Sequence, residues 1–435
     1  MKKPKLAGAF ILACCLLAYL MFVKRHYAAA PHAAFRLPPH VPPASQPGGP
    51  ATRGRFQYGI MFDAGSTGTR IHVFQFQLEQ NEAPKLAHET FKAIKPGLSA
   101  YADDPDKCTA GILELLAVAR DSVPLHLWSS TPLVLRATAG LRLLPGQKAT
   151  QLLDRVRALF TESPFLSRND SVSIMDGTDE GISAWITINF LTGGLHGADS
   201  PTVGMLDLGG GSTQITFRPQ DEKTIQTSPV DHISSFRMFN NTHTLYSHSY
   251  LGLGLMSARL AVLGGTEGQT GGSSELVSPC LAPLYVGQWE HGDVVYTVRG
   301  QKAGEPVYES CRTKVEKVLY KKVTRAAEAE NVDFYAFSYY YDRAVDLGAI
   351  EGEKGGSIKV SDYIDAAKRV CGGVSVSPAQ SPFLCLDLTY ISVLLQELGF
   401  SPDKHFKLAR TINEVETSWA LGATFHYIES LHSHM

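Results

Sequence analysis

The chain has 435 residues, of which 44% are hydrophobic and 19% are charged. This ordinary globular composition excludes general disorder, and the length allows two domains of about 150 to 200 residues each. The formal net charge is -2, without a sustained run of Lys or Arg. Because the nucleic-acid backbone requires clustered cations, the sequence predicts no nucleic-acid partner.

The N-terminus predicts a membrane anchor followed by a linker. Three lysines among the first five residues precede an uncharged apolar stretch at 6–23, which as a helix would nearly cross a bilayer core of about 30 Å. We expect residues 1–23 to form a cytosolic tail and a retained signal anchor, with the rest of the chain in a lumen. Cleavage of a signal peptide near residues 28–30 is the alternative. Residues 24–54 are rich in Pro, Ala and Gly and predict a semi-rigid stem.

The cysteines and two glycosylation sequons agree with a luminal address. Five cysteines follow the stem, and an oxidising compartment favours disulfides. Pairing of sequence neighbours leaves Cys108 free, although other connectivities stay open. The predicted pairs are Cys280 with Cys311 and Cys371 with Cys385. Without a CxxC pair or a tight Cys/His cluster, we expect no structural zinc site. Asn169 and Asn240 each satisfy the N-glycosylation sequon.

Two glycine-rich segments resemble each other. Residues 60–70 read IMFDAGSTGTR, and residues 205–214 read MLDLGGGSTQ. In each, an apolar run of strand length ends in an Asp and a glycine-rich turn, and alternating apolar residues follow, which predicts strand, turn and returning strand. The two Asp residues, Asp63 and Asp207, lie 144 positions apart (207 minus 63).

Such turns suit phosphate. Glycines let the backbone approach an anion closely, and N–H groups and hydroxyls donate to it. An ordinary hairpin connection is the alternative for either turn alone, but a duplicated fold would place the two face to face across a cleft, each holding one end of a polyphosphate. The candidate phosphate-binding residues in the turns are Gly65, Ser66, Thr67, Gly68, Arg70, Gly209, Gly210, Gly211 and Thr213.

Other catalytic motifs are missing from the sequence. There is no Walker A motif, no Gly-x-Ser-x-Gly elbow and no His-Glu-x-x-His zinc motif, so serine hydrolases and zinc proteases lack support. Gly252-Leu253-Gly254 resembles the start of a dinucleotide fingerprint, but Ser257 replaces the third glycine, and we interpret the segment as a loop entering a helix.

Five segments, in chain order, resemble the motifs of the apyrases, or ectonucleoside triphosphate diphosphohydrolases (GDA1/CD39-type nucleotidases). They are Asp63 to Arg70, Ala137 to Arg142, Asp176 to Gly181 with its continuation Trp185 to Asn189, Leu206 to Gln214, and Trp419 to Gly422. The resemblance implies an α/β fold of two lobes, similar to actin, Hsp70 and sugar kinases (RNase H-like), with the active site in the interlobe cleft. It implies that residues 55–200, completed by 412–435, form lobe one and that residues 201–411 form lobe two.

The resemblance also implies catalytic roles. Glu180 resembles the family's general base, which takes a proton from water, and Ser212 and Gln214 resemble the residues that orient that water. A carboxylate suits this work, because it can align and deprotonate a water in line with the terminal phosphorus. The alternative for Glu180 is a carboxylate stabilised by the dipole of a helix predicted over Ser183 to Phe190.

A divalent cation completes the implied site. Asp63 and Asp207 would hold Mg²⁺ or Ca²⁺ mainly through water, as hard oxygen-ligated cations permit, with turn capping as the alternative. Thr138 would line the same polar pocket. Arg70 and Arg142 would either contact phosphate or brace the loops.

An aromatic run offers a platform for a nucleobase. Residues 334–341 read FYAFSYYY, and a ring face attracts any base by stacking. If the strand continues and its alternation turns some rings inward, one or two of Tyr339, Tyr340 and Tyr341 reach the cleft. We expect Tyr341 to be the residue that contacts the nucleobase.

The chain ends without a second apolar segment, as in the single-anchor Golgi or secreted branch of the family. That branch implies hydrolysis of nucleoside diphosphates, with GDP, IDP and UDP preferred over triphosphates, and clearance of the diphosphates that glycosyltransferases leave.

The expected location is the Golgi membrane, as a type II protein facing the lumen, with secreted and minor cell-surface pools. Two alternatives stay open: a phosphotransferase or exopolyphosphatase on the same fold, and a non-catalytic nucleotide-binding luminal protein. The sequence gives no oligomeric state.

Overall fold

The computed structural model describes residues 55–79, 82–197, 199–268, 274–292, 294–302, 307–377 and 380–433. The predicted anchor and stem, residues 1–54, lie outside this range. Among the described helices, none is both long and apolar enough to cross a membrane.

A mixed sheet begins at the first described residue. Among the described residues, five strands form it in the order β3-β2-β1-β4-β5. The first three strands are antiparallel neighbours, and β4 and β5 continue the sheet parallel to β1. The bounds are β1 Arg55–Ala64, β2 Thr69–Leu78, β3 Lys85–Ile94, β4 Leu133–Ala137 and β5 Val172–Ile174.

A second mixed sheet begins at Gly204. Within the described part of the chain, seven strands form it in the order β14-β15-β13-β6-β7-β9-β8. The bounds are β6 Gly204–Leu208, β7 Ser212–Phe217, β8 Ile233–Met238, β9 Asn241–Leu251, β13 Phe334–Ser338, β14 Gly356–Lys359 and β15 His405–Leu408.

The two sheets repeat one topology. Each sheet contains a hairpin, β1–β2 in the first and β6–β7 in the second. An antiparallel strand, β3 or β9, pairs with the second strand of the hairpin. Two strands parallel to the first strand of the hairpin, β4 and β5 or β13 and β15, continue the sheet on the other side. The registers also agree, since Asp63 pairs with Arg70 and Asp207 pairs with Gln214. The predicted α/β class and the duplicated strand, turn and strand are therefore confirmed.

Helices and short strands connect these sheets. The helices are α1 Thr109–Ser122, α2 Ala139–Arg142, α3 Gly146–Thr161, α4 Gly177–Leu191, α5 Glu222–Thr227, α6 Leu255–Leu263, α7 Val307–Leu319, α8 Tyr339–Asp346, α9 Val360–Cys371, α10 Leu384–Glu397 and α11 Ala420–Ser433. The remaining strands are β10 Glu275–Ser278, β11 Val286–His291, β12 Val294–Gly300, β16 Thr411–Ile412 and β17 Val415–Glu416. Helix α6 begins directly after Gly254, which confirms the loop predicted there.

Apolar packing joins the sheets. One buried cluster belongs to the first sheet and another to the second, and a third includes Met61 of β1, Trp185 of α4, Met205 of β6 and Trp419 before α11. The C-terminal helix α11 packs on α4 and β1. Residues from the beginning and the end of the described range thus share one core, whose burial is the main stabilising term.

Both predicted disulfides are confirmed. Cys280 is bonded to Cys311, and Cys371 is bonded to Cys385. Cys108 is a free, buried cysteine. The two sequon residues, Asn169 and Asn240, are exposed, the latter at the tip of the β8–β9 hairpin.

Gly422 permits the close contact between α11 and α4. A Cβ atom there would overlap the carbonyl oxygen of Ser183 and lie 3.0 Å from Ile186 Cβ. We expect Gly422→Ala to lower the free energy of unfolding by about 1–3 kcal/mol through overpacking. Urea unfolding of the purified protein measures this change.

Gly146→Ala is the matched control, because a Cβ atom at the start of α3 meets nothing within 4 Å. We expect it to change stability by less than about 1 kcal/mol. An equal loss in both variants would contradict the role assigned to Gly422.

Candidate active site

The two glycine-rich turns meet at the carboxyl ends of β1 and β6. Each turn is closed by the same hydrogen bond, from Gly65 N to Gly68 O and from Gly209 N to Ser212 O, both 3.0 Å long. A Cβ atom on Gly210 would overlap the Ser66 hydroxyl of the opposite turn. The predicted face-to-face arrangement is therefore present, and glycine is required where the turns touch.

Arg142 connects the predicted catalytic residues. Its Nη2 donates to Glu180 Oε2 at 2.8 Å and to Ser212 Oγ at 3.1 Å, and its Nη1 donates to Met175 O at 2.7 Å. Its guanidinium joins the carboxylate on α4 to the hydroxyl on β7 and so braces the two elements. A phosphate contact by Arg142 stays a prediction.

Gln214 extends this network to β9. Its side-chain amide donates to Ser212 Oγ at 2.8 Å and to Ser249 Oγ at 3.0 Å. Ser212 and Gln214 lie on the same face of β7, two residues apart, and Ser249 is the register partner of Gln214. Ser249 belongs to none of the sequence motifs, because only the pairing of β7 with β9 places it here.

Glu180 lies inside a helix rather than before one. The prediction placed the helix at Ser183 to Phe190, but α4 already begins at Gly177, where the Asp176 side chain accepts from Thr178 N. Glu180 therefore occupies the first turn, at the positive end of the helix dipole. Its side chain is buried, with 7% of the residue exposed.

Burial sets the charge state of Glu180. Desolvation raises its pKa to about 7, while the Arg142 guanidinium opposes that rise, and the carboxylates of Asp207 and Asp63 add to it. A general base is most effective with a pKa near the working pH, so this environment suits proton abstraction from water.

Asp63 and Asp207 form a pair of buried carboxylates at the turns. Desolvation raises the pKa of both, that of Asp207 to about 6, and the neighbouring Asp63 contributes to the rise at Asp207. Asp63 Oδ2 accepts from Arg70 Nη1 at 3.2 Å, but Oδ1 is buried without a hydrogen-bond partner. A buried carboxylate oxygen without a donor is costly, and hard divalent cations prefer such oxygens. These residues fit Mg²⁺ or Ca²⁺.

Ser338 is a second residue that the motifs did not identify. Its hydroxyl donates to Asp207 Oδ1 at 2.7 Å. It ends β13 with φ 59° and ψ −123°, which is rare for a residue with a side chain and is stored strain of the kind found at functional sites. The neighbouring turn is also braced, because the Thr213 hydroxyl donates to Asp207 O at 2.9 Å.

Thr138 lies beside the first turn. Its backbone N–H donates to Ala64 O at 3.2 Å, and the residue is buried immediately before α2, the short helix that carries Arg142. Arg70 contacts Asp63 as described, and its side chain is partly exposed. Both residues thus lie beside the first turn, and their roles toward a substrate stay predictions.

The aromatic run does not continue as a strand. Strand β13 ends at Ser338, and the three tyrosines begin α8. The alternation used to select an inward ring therefore does not apply. Tyr341 is only 7% exposed, and its hydroxyl donates to Gly352 O. A nucleobase contact by Tyr341 stays a prediction.

Comparison with known proteins agrees with these motifs. Residues 51–434 match the GDA1/CD39 (nucleoside phosphatase) family. The chain is 58% identical over 424 residues to ectonucleoside triphosphate diphosphohydrolase 6 of Mus musculus, covering 96% of this chain and 93% of that protein. It is 62% identical over 383 residues to the Rattus norvegicus protein of the same name, covering 88% of this chain and 84% of the other. Human nucleoside diphosphate phosphatase ENTPD5 is 51% identical over 376 residues, covering 86% of this chain and 88% of that protein.

Solved structures share the fold. A nucleoside triphosphate hydrolase from Neospora caninum superposes with a TM-score of 0.59 at 14% identity, covering 87% of this chain and 93% of the other. An exopolyphosphatase-like protein gives 0.50 at 11% identity, covering 87% and 99%. These likenesses confirm the two-lobed actin/Hsp70-like α/β fold predicted from the motifs. With the family match and the identities above, they show that the chain is a nucleotide phosphatase and belongs to the GDA1/CD39 family.

Proposed function

We propose that this enzyme hydrolyses the terminal phosphate of nucleoside diphosphates, with GDP, IDP and UDP preferred and triphosphates used more weakly. The oxygen of one water attacks the terminal phosphorus while the bond from that phosphorus to the bridging oxygen breaks. Glu180 accepts the proton of the attacking water. The products from a diphosphate are a nucleoside monophosphate and inorganic phosphate, and no phosphate is bonded to the protein at any stage.

The observation that carries the hydrolytic step of this proposal is the hydrogen-bonded group formed by Glu180, Arg142, Ser212 and Gln214 beside the two turns, and the preference for diphosphates is the expectation from the family branch. Arg142 occupies Glu180 Oε2, which leaves Oε1 to accept a proton. Ser212 and Gln214 supply a hydroxyl and an amide to orient the water. The turn N–H groups and hydroxyls are the donors for the phosphate oxygens.

A divalent cation belongs to the proposed mechanism. Asp63 and Asp207 would hold Mg²⁺ or Ca²⁺ mainly through water, and the unpartnered Asp63 Oδ1 supports this assignment. When bound, the cation supplies positive charge that stabilises the phosphate oxygens during transfer.

We further propose a type II location in the Golgi membrane facing the lumen, with secreted and minor cell-surface pools. Two disulfides and two exposed sequons support an oxidising compartment, and residues 6–23 have the composition of an anchor. N-terminal sequencing of membrane-associated protein tests the anchor, since chains that all start after Ala30 would reject it.

The substrate proposal predicts a ranked pattern of phosphate release. We expect GDP, IDP and UDP to be hydrolysed faster than ADP, CDP and the triphosphates, and a chelator to abolish release. Phosphate measurement with each nucleotide in Mg²⁺, Ca²⁺ or chelator provides the test. Preference for triphosphates would reject the diphosphate assignment, and phosphorylated acceptor in place of inorganic phosphate would indicate a phosphotransferase.

Glu180→Gln should lower kcat about 10² to 10⁴-fold, the usual contribution of a positioned base. The amide keeps the shape of the side chain and can still accept from Arg142, so nucleotide binding should be retained. Steady-state kinetics and calorimetric titration of GDP measure the two properties.

Asp179→Asn is the matched control, because Asp179 precedes Glu180 on α4 but lines a different cavity with Arg136 and His426. Its kcat should stay within about threefold of the wild type, well below the loss expected for a catalytic base. Near-normal turnover by Glu180→Gln would remove Glu180 from the role of base.

Arg142 should control the pH dependence of kcat. The base acts when deprotonated, so kcat rises with pH through the pKa of Glu180, which burial raises to about 7 and a bound cation lowers. Arg142 also lowers this pKa, so Arg142→Gln should move the acidic limb to higher pH. Arg142→Lys keeps the charge and should move it less. The profile of kcat from pH 5 to about 9 measures this, and a limb that moves to lower pH in Arg142→Gln would contradict the proposed coupling.

A further inference from the structure

Three potential metal ligands meet at the β8–β9 hairpin. Asp231 and His232 end a short 3₁₀ turn just before β8, and His248 lies on β9. One ligand atom of each residue lies within 4.8 Å of the others. The two imidazole rings are 3.8 Å apart between centroids and tilted by 32°, and His232 Nε2 lies 4.0 Å from Asp231 Oδ1.

A tyrosine hydroxyl contacts the second ring nitrogen of His232. His232 is 4% exposed, and its Nδ1 is 3.1 Å from the hydroxyl of Tyr246. When Nδ1–H donates to that hydroxyl, the lone pair of Nε2 is available on the side of Asp231. Histidines that bind metals have their second nitrogen held by an outer partner in this way.

Burial also favours the neutral form of both imidazoles. Burial lowers the pKa of His232 and of His248, and the neighbouring His232 lowers that of His248 further. Neutral imidazole is the form that coordinates a metal, so binding at neutral pH requires little deprotonation.

We propose that Asp231, His232 and His248 bind one Zn²⁺ ion, with water in the fourth position. Two nitrogens and one carboxylate oxygen suit Zn²⁺ rather than Mg²⁺ or Ca²⁺, which prefer oxygen ligands. Zn–N bonds of about 2.0–2.1 Å place tetrahedral ligands about 3.3 Å apart. The Asp231 side chain is 78% exposed and can rotate to shorten the 4.0 Å between its Oδ1 and His232 Nε2.

This site is separate from the cleft. Ser249 accepts from Gln214 on the cleft face of β9, and successive side chains of a strand point to opposite faces. His248 therefore lies on the other face, together with Tyr246. No CxxC pair or tight Cys/His cluster in the sequence indicates a zinc site here, because the two histidines are distant in sequence. His232 and His248 are 16 positions apart (248 minus 232) and meet only through the hairpin.

A competition titration tests the proposal. Untagged protein in excess Mg²⁺, which saturates the oxygen-lined cleft, is titrated with Zn²⁺ against a chromophoric zinc chelator, and its thermal unfolding is followed in parallel. We expect one equivalent of Zn²⁺ to bind and to raise the unfolding midpoint, because the ion links the turn before β8 to β9. Absence of competition with the chelator would overturn the proposal.

Four variants locate the ion. His248→Gln removes a half-buried ligand and should weaken Zn²⁺ binding more than tenfold, and Asp231→Asn, at an exposed position, should weaken it less. Tyr246→Phe keeps the ring on Phe217 but removes the hydroxyl, for which we expect a loss of about 10–100-fold. His126→Gln is the matched control at an exposed histidine on another part of the chain and should bind as the wild type.

The variants also separate a ligand role from a structural one. Circular dichroism establishes that each variant is folded, and if His248→Gln fails this criterion, the exposed Asp231→Asn and the conservative Tyr246→Phe still decide the result. Wild-type Zn²⁺ affinity in the folded ligand variants would place the ion elsewhere and overturn the assignment.

Discussion

The contact of the Arg142 guanidinium with Glu180 and Ser212 determines how the rest of the site is arranged. Desolvation favours the neutral form of a carboxylate as buried as Glu180, and a close cation opposes that effect. Arg142 supplies that cation and at the same time holds Ser212 of the second sheet. A single planar side chain therefore lowers the pKa of the proposed base and holds it beside the residues proposed to orient water.

Small residues make that contact possible. Helix α4 lies directly on β7 and β9, and glycine at two positions of the helix permits this contact. Cβ atoms at Gly177 and Gly181 would overlap Ser249 and Thr216. This close approach places Glu180, one residue before Gly181, opposite Ser212 and Gln214. The glycine of the opposite turn, Gly210, plays the same role against Ser66. Hydrogen bonding in the site thus depends on the short distances between these backbone segments. A side chain larger than that of glycine at Gly177, Gly181 or Gly210 would push the segments apart.

The sequence predicted the parts of the molecule that depend on local order. Glycine-rich turns after apolar runs specify hairpins by themselves, and their repetition at an interval of 144 positions indicated two similar sheets. The disulfides joined sequence neighbours and could be paired for that reason. Ser249 and Ser338 could not be found in this way, because strand register and a strained backbone place them beside Gln214 and Asp207. The orientation of the three tyrosines could not be predicted from sequence either. The strand that was expected to continue through them ends at Ser338, and the tyrosines lie on helix α8 instead.

Direct attack by water is the central claim, and the stereochemistry at phosphorus tests it most directly. A nucleotide whose terminal thiophosphate is made chiral with oxygen isotopes is hydrolysed in isotopically labelled water, and the configuration of the released thiophosphate is determined. One in-line displacement inverts the configuration, so we expect inversion with one solvent oxygen in the product. Retention would require two displacements through a phosphorylated residue and would contradict the role of Glu180 as a base acting on water.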